Sequence, residues 1–373
     1  MIIGIDINEA NIPQRVGVNQ VAFNMFQSLV EELGSEDQII GLSKENPLPD
    51  MPPASKKLVY EIFGSKKAWV LTSLTKRLLF GKPKIDVLFS PSHYTPLFSI
   101  TPSIIYLMDM SYERFGTEFF TSYDINQLRR WTPLSVKKAK KIITISEFSK
   151  NEIINIYKTN PEKVEVVYPS FNKSLFNGKV PQTKIAQLRK KYGIQGKYLF
   201  YWGTLQPRKN ISRLIEAFAL VDKPQVKLVI CGKKGWLYDQ IFELVKRRNL
   251  ENRVIFTGFA PDEDLPGLIK SSLGFILPGL YEGFGMPVIE AQAVGCPVVV
   301  SSTSSLPEVA GESAIFIEDP TSAVSIKNAI LKLLSLNKSQ RARIIKEGKE
   351  NTKRFDWTNS ARKIINIFKN VTS

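Results

Sequence analysis

Cysteine is scarce in this chain, with only Cys231 and Cys296 among 373 residues. Two lone thiols cannot build a disulfide framework. Each sits at the edge of an apolar strand, where a free thiol behaves as a small core residue, so a reducing, cytoplasmic compartment is expected. Histidine is scarcer, with His93 alone. No apolar run approaches the roughly 18 residues that a membrane-spanning helix needs. The N-terminus, Met1 to Ile7, has no basic segment and no cleavage site, so no signal peptide is expected. Acids are in deficit, 35 against 51 lysines and arginines, for a net charge of +16. That excess is uneven. The chain up to Ser170 is near +2 and the remainder carries +14. A basic half suits phosphorylated substrates, an anionic membrane or nucleic acid, and equally a lysine-rich solvated surface.

The length allows two domains, each with its own core. Strand and helix signals alternate throughout. Ile2 to Ile7, Gln38 to Leu42, Ile85 to Ser90, Ser103 to Met108, Lys141 to Ser146 and Val164 to Tyr168 read as strands. Val18 to Leu33 has helical periodicity, and Glu147 to Tyr157 follows Ser146 as N-cap. Pro169, Gly178, Pro181, Gly193 and Gly196 mark 169–197 as a linker. The pattern then restarts. Strands are expected at 198–202, 226–230, 253–257, 273–278, 296–301 and 314–317, and helices at 211–221, 236–249 and 288–295. The order implies two doubly wound parallel sheets, an α/β architecture.

Two stretches carry chemistry, and each joins a strand end to a helix start, where open α/β sheets bind ligands. The first is Tyr281 to Glu290. Gly283 and Gly285 leave backbone N–H groups unobstructed, and the helix N-terminus favours an anion. Glu282 stands before the helix and Glu290 roughly two turns into it. The second is Gly203-Thr204-Leu205-Gln206-Pro207-Arg208-Lys209-Asn210. Gly203 allows close approach, and Arg208 with Lys209 supplies paired cations suited to a pyrophosphate.

Glu282 and Glu290, with seven residues between them that begin Gly-Phe-Gly, resemble the E-x7-E motif of retaining glycosyltransferases of family 4, and 203–210 resembles that family's donor-phosphate loop. The resemblance covers nearly the whole chain and is strongest from Tyr198 to Ile317. It implies the GT-B fold, two Rossmann-like domains facing across a cleft. Residues 1–175 would form the acceptor domain, with a C-terminal helix at about 355–373 packing back on it, and 190–354 the donor domain. It further implies hexosyl transfer from a GDP- or UDP-sugar, with GDP-mannose as first choice, to a glycan or polyprenyl-lipid-linked acceptor. No cofactor or metal is implied. Glu282, Arg208 and Lys209 would act on the reacting centre. Gly17, Gly203, Gly258, Phe259, Gly283, Phe284, Gly285, Met286 and Glu290 would hold the donor, Glu290 through the ribose.

In many relatives a His-Asp pair follows the strand that ends here at Leu107. Met108 replaces the histidine, and Met neither donates nor shuttles a proton. Asp109 remains, and His93, read at a sheet edge, joins it on the acceptor side. Residues 56–84 carry eight basic residues and one acid, with Trp69, Leu74 and Leu78 at helical spacing. That pattern reads either as a basic amphipathic helix meeting the inner face of an anionic membrane or as a core-facing helix with solvated lysines. The rivals to glycosyl transfer are a GT-B relative with epimerase or phosphorylase chemistry and a non-catalytic nucleic-acid-binding module. No stacking or groove-reading pattern supports the latter.

Overall fold

The computed structural model describes every residue except 16, 65–67, 117–120, 234–238 and 373. It divides into two compact units, Met1–Ser170 with Asp356–Ser373, and Phe171–Phe355.

The first unit is built on a seven-stranded parallel sheet. In chain order the strands are β1 (Ile2–Asp6), β2 (Gln38–Ser43), β3 (Leu58–Ile62), β4 (Val87–Ser90), β5 (Ser103–Leu107), β6 (Lys141–Thr144) and β7 (Val164–Val166). Their spatial order is β3-β2-β1-β4-β5-β6-β7. Order reverses between β1 and β4, so the crevice outside their carboxyl ends is the natural ligand position. The strands β4 and β5 are buried along their whole length, as continuous apolar runs in a sheet covered on both faces require. Ser146 caps the helix Glu147–Tyr157, its Oγ accepting from the Ser149 N–H at 3.0 Å. The helix Trp357–Thr372 buries Ala361, Ile364, Ile365 and Phe368, and the Phe368 ring lies 5.5 Å from that of Phe89.

Residues 68–80 turn apolar side chains of the lysine-rich stretch into the core, and Lys66 and Lys67 lie outside the described residues. Trp69, Leu74 and Leu78 are buried with Ile40, Leu42 and Leu88. The Trp69 indole N–H donates to the Phe63 carbonyl at 2.9 Å. Arg77 binds both oxygens of Glu61, the one acid of the stretch. The Trp is therefore part of the core. Truncating such a residue costs about 3–5 kcal/mol.

The second unit holds a six-stranded parallel sheet of β8 (Lys197–Trp202), β9 (Val226–Cys231), β10 (Val254–Gly258), β11 (Phe275–Leu277), β12 (Val298–Ser301) and β13 (Ile315–Ile317). The order is β10-β9-β8-β11-β12-β13, reversing between β8 and β11. The expected linker is partly structured. Residues Gln182–Lys191 form a helix whose Ile185 and Leu188 are buried. Leu188 lies so close to Gly267 that a Cβ there would come within 2.5 Å of its Cδ1. The helix expected at 236–249 is seen as Asp239–Arg247, and its first residues lie outside those described.

Candidate functional site

In the second unit both chemical loops lie at the point of reversal. One follows β8 and the other follows β11, and the two strands are neighbours. Two residues tie the loops together. Asn210, held in the left-handed region at φ 61°, donates from Nδ2 to the carbonyls of Pro278 (3.0 Å) and Pro320 (2.6 Å). The Leu280 N–H donates to the Arg208 carbonyl at 2.9 Å.

This brings the three charged side chains together. Lys209 Nζ donates to both carboxylate oxygens of Glu282, at 2.6 and 2.7 Å. Arg208 Nη1 donates to the Tyr281 carbonyl at 3.2 Å and to Glu282 Oε2 at 3.4 Å. The Glu282 side chain is almost wholly buried and those of both cations are mostly buried. Taking three charges from water costs several kcal/mol per ion unless they are paired with good geometry. Here the two cations and one carboxylate leave a local excess of one positive charge.

Serines that the sequence did not single out fix the Glu282 backbone. The Glu282 N–H donates to Ser304 Oγ at 3.1 Å. Ser305 Oγ donates to the carbonyls of Glu282 (2.7 Å) and Phe284 (3.0 Å). Ser304 itself sits at φ 57°. The paired serines in Ser301-Ser302-Thr303-Ser304-Ser305 after an apolar strand were the available signal. Gly232, directly after β9, was also missed. A Cβ there would stand 1.9 Å from the Gly203 carbonyl oxygen, so only glycine fits against the phosphate-type loop.

The helix after Glu282 is Met286–Ala293, with Gly285 as N-cap at φ 98°. Glu290 is its fifth residue, so it lies just over one turn in, not two. Only 7% of Glu290 is exposed. Its Oε2 is buried without a hydrogen-bond partner among the described residues. Burial, and then the negative charge of Asp262, push its carboxyl well above the usual range. A buried carboxyl with an orphaned oxygen suits a site awaiting hydroxyl donors.

Gly283 is buried and Met286 half-buried. The Phe284 ring packs edge-on against Phe355 at 5.4 Å and is buried. Only its backbone is therefore placed to meet a ligand. Gly258 ends β10 at φ 69°, with open space where its Cβ would be. Phe259, 55% exposed, carries the Lys233 ammonium 4.8 Å from its ring centroid.

The first unit places the remaining candidates at its own reversal point. Gly17 is the N-cap of Val18–Glu32 at φ 54°. The loop before it is anchored by Arg15, which donates to Asp50 and, at 2.6 Å, to the Ala10 carbonyl. His93 follows the carboxyl end of β4, the central strand of the sheet. Its ring stands edge-on to Tyr112 at 5.2 Å, and its Nδ1 is buried without a partner among the described residues. Burial lowers its pKa to about 4 even though the Asp109 charge opposes the shift. Asp109 accepts from the Ser111 N–H at 3.0 Å and from its hydroxyl at 2.6 Å. Met108 is buried. Asp6, at the end of β1, is buried too, and burial raises its pKa.

The profile described as "Glycosyl transferases group 1" matches residues 184–351. That stretch lies within the second unit, which is thus similar to that family. Among curated proteins that this chain resembles, O-antigen chain mannosyltransferase B of Escherichia coli is 34% identical over 238 residues. The match covers 63% of this chain and 62% of that protein. The serotype-specific mannosyltransferase WbdA of E. coli is 28% identical over 241 residues, 63% of this chain and 28% of that protein. The chain thus spans less than two thirds of the length of these curated relatives. Among solved structures, Anabaena Alr3699/HepE in complex with UDP-glucose matches with a TM-score of 0.76 at 19% identity, over 99% of both chains. WaaG, a glycosyltransferase involved in lipopolysaccharide biosynthesis, matches with a TM-score of 0.72 at 16% identity, again over 99% of both chains. The chain has the GT-B fold, two parallel-sheet α/β domains.

Proposed function

We propose that the protein is a retaining hexosyltransferase that moves mannose from GDP-mannose to a hydroxyl of a glycan or polyprenyl-lipid-linked acceptor. The observation that carries this reading is the cluster of Arg208, Lys209 and Glu282 beside the helix Met286–Ala293. Mannosyltransferase relatives at up to 34% identity support the choice of sugar. HepE binds UDP-glucose, so a UDP-sugar is the competing donor.

In this reading the bond between the sugar's anomeric carbon and the β-phosphate oxygen breaks, and the departing diphosphate takes the electron pair. Arg208, Lys209 and backbone N–H groups of 283–286 meet the charge that develops there, in place of a divalent ion. Preorganised donors act strongly at such a point because they need no reorganisation as charge builds. Glu282 lies beside both cations and faces the developing oxocarbenium-like sugar. Glu290 offers its orphaned oxygen to the ribose hydroxyls. The acceptor hydroxyl forms the new bond from the face the diphosphate leaves, and its proton passes to the departing phosphate oxygen, the base on that face. Gly203 and Gly258 let backbone approach the nucleotide, and Phe259 offers a ring to its base. Gly17 offers its backbone to the donor, and His93 and Asp109 line the acceptor side. The protein works in the cytoplasm in contact with the inner, anionic face of the membrane.

The test is transfer of mass-resolved sugar from a panel of nucleotide-sugars, with and without EDTA. Mannose transfer from GDP-mannose at an unchanged rate in EDTA is expected. Transfer from a UDP-sugar alone would overturn the donor, and loss of activity in EDTA would overturn the metal-free reading. Turnover of the nucleotide-sugar without any acceptor product would favour the epimerase or phosphorylase chemistry instead.

A further inference from the structure

The first unit turns two large apolar side chains outward where its fold could have turned them in. Between β4 and β5 the chain runs Phe98-Ser99-Ile100-Thr101. Ser99 and Thr101 are buried, and Ser99 Oγ accepts from the Thr101 N–H at 3.1 Å. Phe98 is 77% exposed and Ile100 88%. The small polar residues have taken the interior and the large apolar ones the solvent. Exposed apolar pairs of this size mark contact surfaces more often than accidents.

Their position is fixed by the sheet. Pro102, just before β5, accepts from the Leu88 N–H at 2.9 Å, so Phe98 and Ile100 lie toward the amino edge. The neighbouring strands begin at the same edge. Phe80, 75% exposed, with the exposed Lys82 and Lys84, leads into β4. Lys137, Lys138 and Lys140, all exposed, lead into β6, and the Lys140 N–H donates to the Ser103 carbonyl at 2.8 Å. With Lys163 they line a depression of about 460 Å³. Lys163 bonds the carbonyls of Val136 and Lys137, and burial and then the charge of Lys140 lower its pKa.

Acids on this edge are mostly engaged. Asp37 pairs with the N-terminal ammonium, Asp86 accepts from the Ile2 N–H, and Glu165 pairs with Lys141. Glu162, exposed, also lines the depression. The carboxyl edge of the same sheet carries Asp6, Asp109 and Asp124. The helix Ser122–Lys138 spans the two, with Asp124 in its first turn and Lys137 and Lys138 in its last. A stretch whose net charge is only +2 up to Ser170 thus gathers exposed lysines at its amino edge.

We propose that the amino edge of the first unit's sheet docks on an anionic bilayer surface, with Phe98 and Ile100 entering the interface and the lysines of 137–140 meeting lipid phosphates. A bilayer fits both halves of the patch, since nucleic acid would leave the apolar pair without a partner. The proposal rests on the membrane contact stated above and moves it from 56–84, whose Trp69 is in the core, to this edge.

The test is co-sedimentation of the full chain with vesicles of phosphatidylcholine alone or mixed with phosphatidylglycerol. Wild type is expected to bind only the anionic vesicles. The variants Phe98→Ser/Ile100→Ser and Lys137→Gln/Lys138→Gln/Lys140→Gln should each bind about tenfold more weakly. Both should keep the wild-type urea midpoint and transfer to a soluble acceptor, since neither touches the core or the crevice. If wild type ignores anionic vesicles, the membrane contact and this face both fall, while transfer is judged separately. If wild type binds and both variants bind equally, this face is wrong and the membrane contact stands. DNA binding lost only in the lysine variant, or self-association lost only in the apolar variant, would overturn the bilayer as the occupant.

Discussion

The two units share one plan and load it with different side-chain chemistry. Each is a parallel sheet whose strand order reverses once, between β1 and β4 in the first and between β8 and β11 in the second. At the second reversal stand two mostly buried cations and one buried carboxylate, bonded to one another. At the first stand Asp6, Asp109 and a neutral imidazole. The fold thus makes two equivalent crevices, and the side chains after each strand decide which ligand each suits. A cation-rich crevice suits a diphosphate, whereas carboxylates and a neutral imidazole suit hydroxyl groups.

The sharpest way to break that contrast is to remove a cation. Arg208→Ala is expected to lower kcat about 100- to 1000-fold, corresponding to about 3–4 kcal/mol, as for loss of one preorganised donor. Wild-type activity in this variant would remove the diphosphate from the second crevice. Lys209→Met leaves Glu282 buried with less compensation, which typically costs about 3–5 kcal/mol of stability. Lys209→Met/Glu282→Gln should recover most of the urea midpoint without recovering transfer, which separates the structural role of the pair from its chemistry.

Gly232→Ala tests whether the Gly203 loop is held by close approach. Forcing a Cβ against that carbonyl should cost about 1–3 kcal/mol, as overpacking does, and should weaken nucleotide binding. An unchanged midpoint with unchanged donor affinity would count against it.

Glu290 gives a subtler probe. Its folded pKa is raised, so the native state holds a proton that the unfolded chain has released. Stability is therefore lost as pH rises through and beyond the ordinary carboxyl range. Ligand-free Glu290→Gln should melt higher than wild type at pH 8, with the gap closing toward pH 5. Its affinity for nucleoside diphosphate should fall about tenfold, the scale of one hydrogen bond. A gap that persists at pH 5, or unaltered affinity, would break the assignment.

The smallest effect belongs to the first crevice. With a folded pKa of about 4, His93 contributes stability that is lost as pH falls from its unfolded value toward 4. It stays neutral from pH 6 to 8. The His93→Asn variant should leave the pH profile of transfer flat across that range. An imidazole NMR titration with a midpoint near 6.5 would show that the ring is not buried as described.

Much of the fold was legible because parallel strands buried on both faces are written as apolar runs, and β8, β9, β12 and β13 each lie within about two residues of their expected bounds. Elements without that signature were not. The edge strand β3 exposes Val59 and Ile62, the helix Ser122–Lys138 is polar with Pro133 inside it, and Gln182–Lys191 hides among turn residues. In the site, Glu282, Glu290, Arg208 and Lys209 were legible through spacing beside glycines. Ser304, Ser305 and Gly232 were not, because their roles are contacts with backbone far away in sequence.

The sequence by itself determined two parallel α/β sheets and the loops that follow β8 and β11, since apolar runs, glycines and charge order are local properties. Tertiary structure decided that Lys209 meets Glu282, that Glu290 keeps an orphaned oxygen, that Trp69 is core, and that Phe98 faces out. Those outcomes depend on which strands become neighbours and which surfaces they cover, and long-range packing sets that.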